Sequence, residues 1–327
     1  MYVERKKIGN DYYNYLKISV RLGNKVRTKT IAYIGKGAID RSKTKGIFEK
    51  FKKAADDSKK KTLEELRLET IDINKELLSE KQFSTLEGIQ SNFKHKIKSL
   101  DQQILREMYN DFLALFVFNT NAIEGNTLTL RDTDLLLNKG ITPSGKSLRE
   151  INDHLNAKEA FEFILEKKPK INQDSIIKIH SILMKNIDKR IGYYRMHNVR
   201  VLGARFETTP AEFVKADMTI LLKWFRRESR RLNPLILAAI FHHKIEKIHP
   251  FYDGNGRTGR MLLNSILINS ELPPLIVPDA QRKRYYNALS DADNAPLNKI
   301  QLEHKKIVDF CYFSLVKTYN TVFARWG

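Results

Sequence analysis

One cysteine, Cys311, stands in 327 residues, so no disulfide can close within the chain. A reducing cytosol is the compartment that suits such a chain. Long apolar runs are missing too. The longest, PLILAAIF at 234–241, falls far short of the ~20 residues that span a bilayer. The opening MYVERKKIGND holds no apolar signal core. A soluble, cytoplasmic protein with no membrane association is therefore expected. Internal repeats and low-complexity tracts are absent as well. Acidic residues are in short supply: 38 against 58 Lys and Arg, a formal charge of +20. The shortage is uneven, since residues 1–61 carry 18 basic against 6 acidic side chains. Such a block suits an anionic partner, nucleic acid before membrane. A merely solvated lysine-rich segment is the plainer account.

What is present is ample apolar material, 42% of the chain, enough for one large domain or two smaller ones. The first module reads as β. Leu16, Ile18, Val20 and Leu22 alternate with Tyr15, Lys17, Ser19 and Arg21, which is strand period. A three-residue turn over 23–25 would pair Leu22 with Val26 and Val20 with Thr28, leaving Arg21, Arg27 and Lys29 on one face. A lysine-rich linker is expected over about 41–61. Beyond it the pattern turns helical. TLEE (62–65) and STLE (84–87) fit the capping box. Phe93, Ile97, Leu100, Ile104, Met108, Phe112 and Leu115 fall on one face of a long helix. Further helices are expected near 147–167, 173–187, 211–231, 234–248, 257–270 and 299–322, with a short β-hairpin at 192–210.

One window, HPFYDGNGRTGR at 249–260, carries the chemistry. The buried apolar helix before it must stop near His249, because the residue before Pro250 is pushed out of helical backbone. An imidazole placed there, with an ordinary pKa near 6.5, is a natural general base. Gly254, Asn255 and Gly256 turn the chain into a new helix whose first N–H groups and dipole favour an anion. Arg257 and Arg260, three apart, would emerge on one side of its first turn. Two cations at the positive end of a helix dipole are unfavourable without an anion, so a di- or triphosphate is expected. Asp253 could hold a Mg²⁺ that bridges phosphate oxygens. Plainer readings compete: His249 as a loop cap, the glycines as an ordinary turn, or His242, His243, His249 and Asp253 as a metal cluster. A P-loop fails because Arg260 and Met261 stand where lysine and Ser/Thr belong.

These twelve residues fill every position of HPFx(D/E)GNGRxxR and so resemble the signature of the Fic family. TNAIEGN (120–126) resembles the inhibitory motif of Fic proteins whose regulatory helix precedes the core. GYYRMHNVRV resembles the start of the family's flap, and QRKRYYNAL (281–289) its nucleoside-binding helix. The resemblance spans about 84–320 and leaves the basic N-terminal module outside. It implies a mainly α fold: a Fic-type helical domain over 62–327 with a hairpin flap, preceded by a basic β-hairpin module and linker over 1–61. It also implies transfer of AMP from Mg·ATP to a Ser, Thr or Tyr hydroxyl of a target protein.

In that scheme His249 takes the hydroxyl proton and Asp253 binds Mg²⁺. Gly254, Asn255 and Gly256 cradle phosphates, with Arg257 on the leaving diphosphate and Arg260 on the γ-phosphate. Tyr286 stacks on adenine. Asp293 stands where an adenosine-contacting asparagine is common. Asn198, Val199 and Val201 of the flap dock the target by strand addition. Glu124 pairs with Arg260 in place of the γ-phosphate and inhibits the enzyme. Removal of AMP, transfer of another nucleotide, phosphotransfer, or a nucleic-acid-binding regulator acting through 1–61 are the alternatives. Self-modification and a homodimer stay open.

Overall fold

The computed structural model describes every residue except 23–24, 39–40, 71, 201–206 and 327, and the side chains of 25, 41–43 and 64–70 are likewise outside it. The chain divides into two compact units, Met1–Ile73 and Asn74–Gly327.

In the first unit, β1 (Tyr2–Ile8), β2 (Asp11–Leu22) and β3 (Lys25–Lys36) form an antiparallel sheet in that order. The even positions Leu16, Ile18 and Val20 of β2 are buried, and the last two pack against Ala55 of α1 (Arg41–Thr70). The expected linker is therefore mostly helix. The repeated lysines leave every third or fourth position free for residues such as Ala55 to face the sheet. Val20 pairs with Arg27 and Leu22 with Lys25, one residue off the expected register; the turn itself lies outside the described residues. Arg21 thus shares the outer face with Val26, while Arg27 and Lys29 lie on the half-buried face with Val20 and Ile18. Long basic side chains tolerate that placement because their stems bury while their heads reach solvent. Asn14, itself buried, donates to the carbonyls of Gly35 and Gly37 (3.1 and 2.8 Å) beside a bulge in β3.

The second unit is helical: α2 (Ile73–Leu77) begins at the boundary, followed by α3 (Glu80–Ser99), α4 (Gln102–Ala122), α5 (Leu130–Lys139), α6 (Leu148–Lys167) and α7 (Gln173–Leu183). Then come α8 (Val214–Glu228), α9 (Pro234–Ile248), α10 (Asn255–Asn269), α11 (Arg282–Ser290) and α12 (Lys305–Thr321). The long helix expected from Phe93 to Leu115 is two helices. Leu100 is extended, and Asp101 accepts from the N–H groups of Gln103 and Ile104 (both 2.9 Å) to start α4. An N-capping aspartate outweighs an apolar stripe that runs through it. Neither expected capping box sits at a helix start. Thr62 lies inside α1, where its hydroxyl donates to the Ser58 carbonyl, and Ser84 lies inside α3. Ser79 and Gln82 form the box that opens α3.

At the centre, α9 is buried from Leu235 to Ile245 and packs along α10, which is itself buried from Arg257 to Ile268. Proline at the first position and Asn233, accepting from the Leu235 N–H, start α9. Phe112, Phe116, Phe161 and Phe323 stack beside this pair with ring centroids 5.1–5.6 Å apart. Among the described residues no helix is long and apolar enough to cross a membrane. The described part of 192–210 contains no strand; residues 201–206 lie outside.

Candidate active site

His249 ends α9 in left-handed backbone (φ 53°, ψ 62°), a conformation that few non-glycine residues adopt. Arg195, buried, holds it there. Its Nε donates to the His249 carbonyl (2.7 Å), its backbone N–H to Pro250 (2.9 Å), and its other guanidinium nitrogens to the carbonyls of His197 and Thr209. One cation thus ties both ends of the 195–209 segment to the carbonyl end of α9, where positive charge is favoured. Nothing in the sequence pattern singled out Arg195. Burial pushes the His249 imidazole down to about 4, so it is neutral at pH 7. Its Nδ1 faces the Glu246 carbonyl at 3.4 Å. A carbonyl only accepts, so Nδ1 carries the hydrogen and Nε2 keeps a free lone pair.

The loop after it is closed by Asn255, whose amide spans the Phe251 backbone (2.8 and 2.9 Å). Its side chain is therefore committed to the loop. Gly254 takes φ 74°, and a Cβ there would meet Met184 Sδ at 2.6 Å. The N–H groups at the start of α10 are left without intrahelical acceptors, as at any helix N-terminus. The two arginines diverge. Arg257 pairs with Asp153 of α6, a partner the sequence did not reveal, and lies 3.7 Å from Asp253. Arg260 reaches α4: Nε donates to Thr120 Oγ1 (2.8 Å), while Nη2 donates to the Thr120 carbonyl (2.9 Å) and to Glu124 Oε1 (2.7 Å). Burial pulls the Arg260 pKa down, but Glu124, Tyr285 and Glu246 more than reverse this and raise it above its usual value. A Cβ on Gly256 would overlap Glu124 Oε1 and lie 3.0 Å from Arg260 Nη1. A side chain at 256 would have to displace the Glu124 carboxylate from this position.

Asp253 ionises below its usual range. Burial opposes this, and Arg257, the Gly254 N–H and Arg149 outweigh it. Its carboxylate is 38% exposed and bonded to Arg149. Mg²⁺ commonly takes one or two carboxylates and completes its shell with phosphate and water oxygens. A lone, accessible, ionised carboxylate fits an ion that arrives with a nucleotide. No group of three His, Cys, Asp or Glu able to hold a metal occurs among the described residues. The alternative histidine cluster is not assembled: His242 Nε2 bonds Tyr285 Oη (2.6 Å), while His243 faces Asp293 (3.5 Å).

Tyr286 is 41% exposed, close enough to Glu124 and Arg260 for both charges to act on it. Asp293 turns its carboxylate toward His243, and burial pushes it up to about 6. Lys244 and Lys247 hang the surrounding loop from α9 through the carbonyls of Pro296, Lys299, Ala295 and Asp293. In the flap, Asn198 Oδ1 accepts from the Ala211 N–H (2.7 Å) and the Val199 carbonyl from Thr208 (3.0 Å); Val201 lies outside the described residues.

Residues 170–267 match the Fic/DOC family. Protein adenylyltransferase fic-1 of Caenorhabditis elegans is 33% identical over 250 residues, covering 74% of this chain and 48% of that protein. Protein adenylyltransferase Fic of Drosophila melanogaster is 30% identical over 244 residues, covering 68% and 48%. The chain thus spans about half the length of these curated relatives. Among solved structures, a fragment of Fic-1 from C. elegans superposes with a TM-score of 0.64 at 30% identity, over 79% of this chain and 73% of that one. A Fic domain containing signaling protein from Bacteroides thetaiotaomicron gives 0.65 at 26% identity, over 74% and 96%. With the signature loop, the helix that meets it and these relatives in agreement, the chain belongs to the Fic/DOC family.

Proposed function

We propose that this protein transfers AMP from ATP to a hydroxyl of a protein target, and that Glu124 restrains it. The observation that carries the reading is the Arg260–Glu124 pair, 2.7 Å long and admitted by Gly256, at the start of a phosphate-suited helix. The relatives' printed name, protein adenylyltransferase, supports the reaction class. In the productive state the target oxygen attacks the α-phosphorus while its proton passes to Nε2 of His249. The bond from the α-phosphorus to the bridging oxygen breaks, and diphosphate leaves with its charge met by Arg257, Arg260 and the N–H groups of 255–257. Asp253, released from Arg149, would hold Mg²⁺, which supplies further neutralisation of phosphate charge when bound. Tyr286 offers its exposed ring to adenine. Asn198 and Val199 would present backbone to the target.

Glu124 occupies the fork that the terminal phosphate needs, so the triphosphate and the carboxylate compete. The Glu124→Gly protein should incorporate labelled AMP, on itself or a target, at least ~10-fold faster than wild type, with the label located by mass spectrometry; 10-fold corresponds to about 1.4 kcal/mol. Equal incorporation by two folded, ATP-binding proteins would refute the restraint. No incorporation by either would refute the reaction.

A second reading concerns Met1–Ile73. The outer sheet face gathers Tyr13, Tyr15 and Tyr33, with centroids 5.5–6.3 Å apart, and Lys36 lies 6.0 Å from the Tyr13 ring. Aromatic rings among lysines on an open sheet suit single-stranded nucleic acid, whose bases stack while its phosphates meet the charge.

A further inference from the structure

Near Arg260 lies a second buried carboxyl that the reaction does not use, and the charges of both Arg260 and Glu124 act on it. Glu246 of α9 is 15% exposed, and its Oε1 has no hydrogen-bond partner among the described residues. Oε1 stands 3.8 Å from Nδ1 of the fully buried His242, whose Nε2 bonds Tyr285 Oη at 2.6 Å. Tyr285 Oη in turn faces the Arg260 guanidinium. The arrangement depends on Gly259. A Cβ there would lie 2.5 Å from Glu246 Oε1 and 2.7 Å from His242 Nδ1. A small residue in α10 therefore admits a second carboxyl against the helix that carries Arg260, near enough for the two charges to act on each other. The charged and titratable groups facing Glu246 are Arg260 from α10, Glu124 beyond α4, Tyr285 and Tyr286 from α11, and His242 from its own helix.

We propose that Glu246 is a proton-dependent positioning residue that sets how strongly Arg260 holds an anion on its Glu124 side. Protonated, Glu246 leaves the full charge of Arg260 to that anion, whether Glu124 or a terminal phosphate. Ionised, it shares the charge and repels the anion. Burial pushes its carboxyl up to about 7, with Arg260 pulling it down and Glu124 pushing it up, so both forms are populated near neutrality. Any anion brought to Arg260 favours the protonated form, so by linkage its affinity falls as pH rises. The inference rests on the proposed role of Arg260 in binding phosphate.

The test is Mg·ATP binding by calorimetry in the full chain carrying Glu124→Gly, which removes the competing carboxylate. From pH 6 to 8.5 the affinity should fall ~10-fold, the effect of about one unit of coupled shift. Adding Glu246→Gln should flatten that fall and keep the affinity at its low-pH level. An unchanged pH profile in the Glu246→Gln protein overturns the proposal. Arg260→Ala in the same Glu124→Gly background separates the two readings. If it leaves ATP affinity intact, the phosphate role of Arg260 fails; if it weakens ATP while Glu246→Gln changes nothing, only this inference fails. Should the glutamine variant not fold, the carboxyl carbon resonance of Glu246 can be followed in the Glu124→Gly protein. Its midpoint must rise when Mg·ATP binds, and an unmoved midpoint overturns the proposal.

Discussion

A neutral imidazole with Nδ1 turned to the Glu246 carbonyl can do one thing well, which is to accept a proton at Nε2. The protein spends several interactions on that single orientation. His249 sits in left-handed backbone, its carbonyl is held by Arg195, and its ring is buried. Because the depressed value of about 4 lies far below neutrality, the base stays competent down to weakly acidic pH. His249→Ala should therefore lower AMP transfer ~10²–10⁴-fold, the range for losing a general base. It should leave Mg·ATP affinity within about 2-fold, since nothing in the fork at Arg260 involves the ring. Steady-state transfer and calorimetry on the same preparation separate the two effects. A variant that binds ATP and transfers AMP at the wild-type rate would remove His249 from the chemistry.

At the scale of elements, the site is three helix ends brought together around the start of α10. Arg260 binds α10 to α4 through Thr120 and Glu124, and Arg257 binds it to α6 through Asp153. Both guanidinium groups are buried, and removing one partner of a fully buried pair typically costs about 3–5 kcal/mol. Asp153→Ala should lower stability by that order in urea melts, whereas Glu124→Gly should cost less. Glu124 is 36% exposed, and Thr120 still accepts from Arg260 when it is gone. Equal destabilisation by the two changes would contradict this division between structural and releasable pairs. The signature loop and the Glu124 helix end were legible because their residues fall within short windows that resemble family motifs. Asp153 and Arg195 were not, since neither lies in a recognisable motif and their partners lie 104 and 54 positions away along the chain. The apolar stripe from Phe93 to Leu115 misled for a related reason. Periodicity carries through a two-residue break, and the capping by Asp101 that makes the break is a single local bond pair. The register of β2 and β3 lies one residue from the expected one, which would keep Arg21, Arg27 and Lys29 together on one face. The folded sheet instead accepts Arg27 and Lys29 on the face of Ile18 and Val20.

For the molecule as a whole, charge and fold are distributed differently. The unit Asn74–Gly327 contains every residue assigned to the reaction, yet residues 1–61 carry 18 of the 58 basic side chains and only 6 of the 38 acidic ones. The described ion pairs on the sheet, Lys17–Glu4 and Lys36–Asp11, use two of those six acidic side chains, so the basic excess stays unpaired by them. A single-stranded nucleic acid would release counterions from its phosphates and stack bases on Tyr13, Tyr15 and Tyr33, so two independent signatures are expected. The affinity of the full chain for a labelled single-stranded oligonucleotide should fall steeply with salt, the logarithmic slope being about −0.7 per phosphate neutralised. Tyr33→Ala, at a ring 54% exposed and so of little consequence for folding, should weaken binding by ~1–3 kcal/mol while leaving the salt slope unchanged. Fluorescence anisotropy over a salt series measures both quantities. A steep slope with no effect of Tyr33→Ala would reduce the sheet to a diffuse cationic surface, and stronger binding to a duplex of the same length would point to backbone recognition without stacking. Retention unchanged after deletion of residues 1–73 would place the polyanion site on the helical unit and leave the basic module without this role.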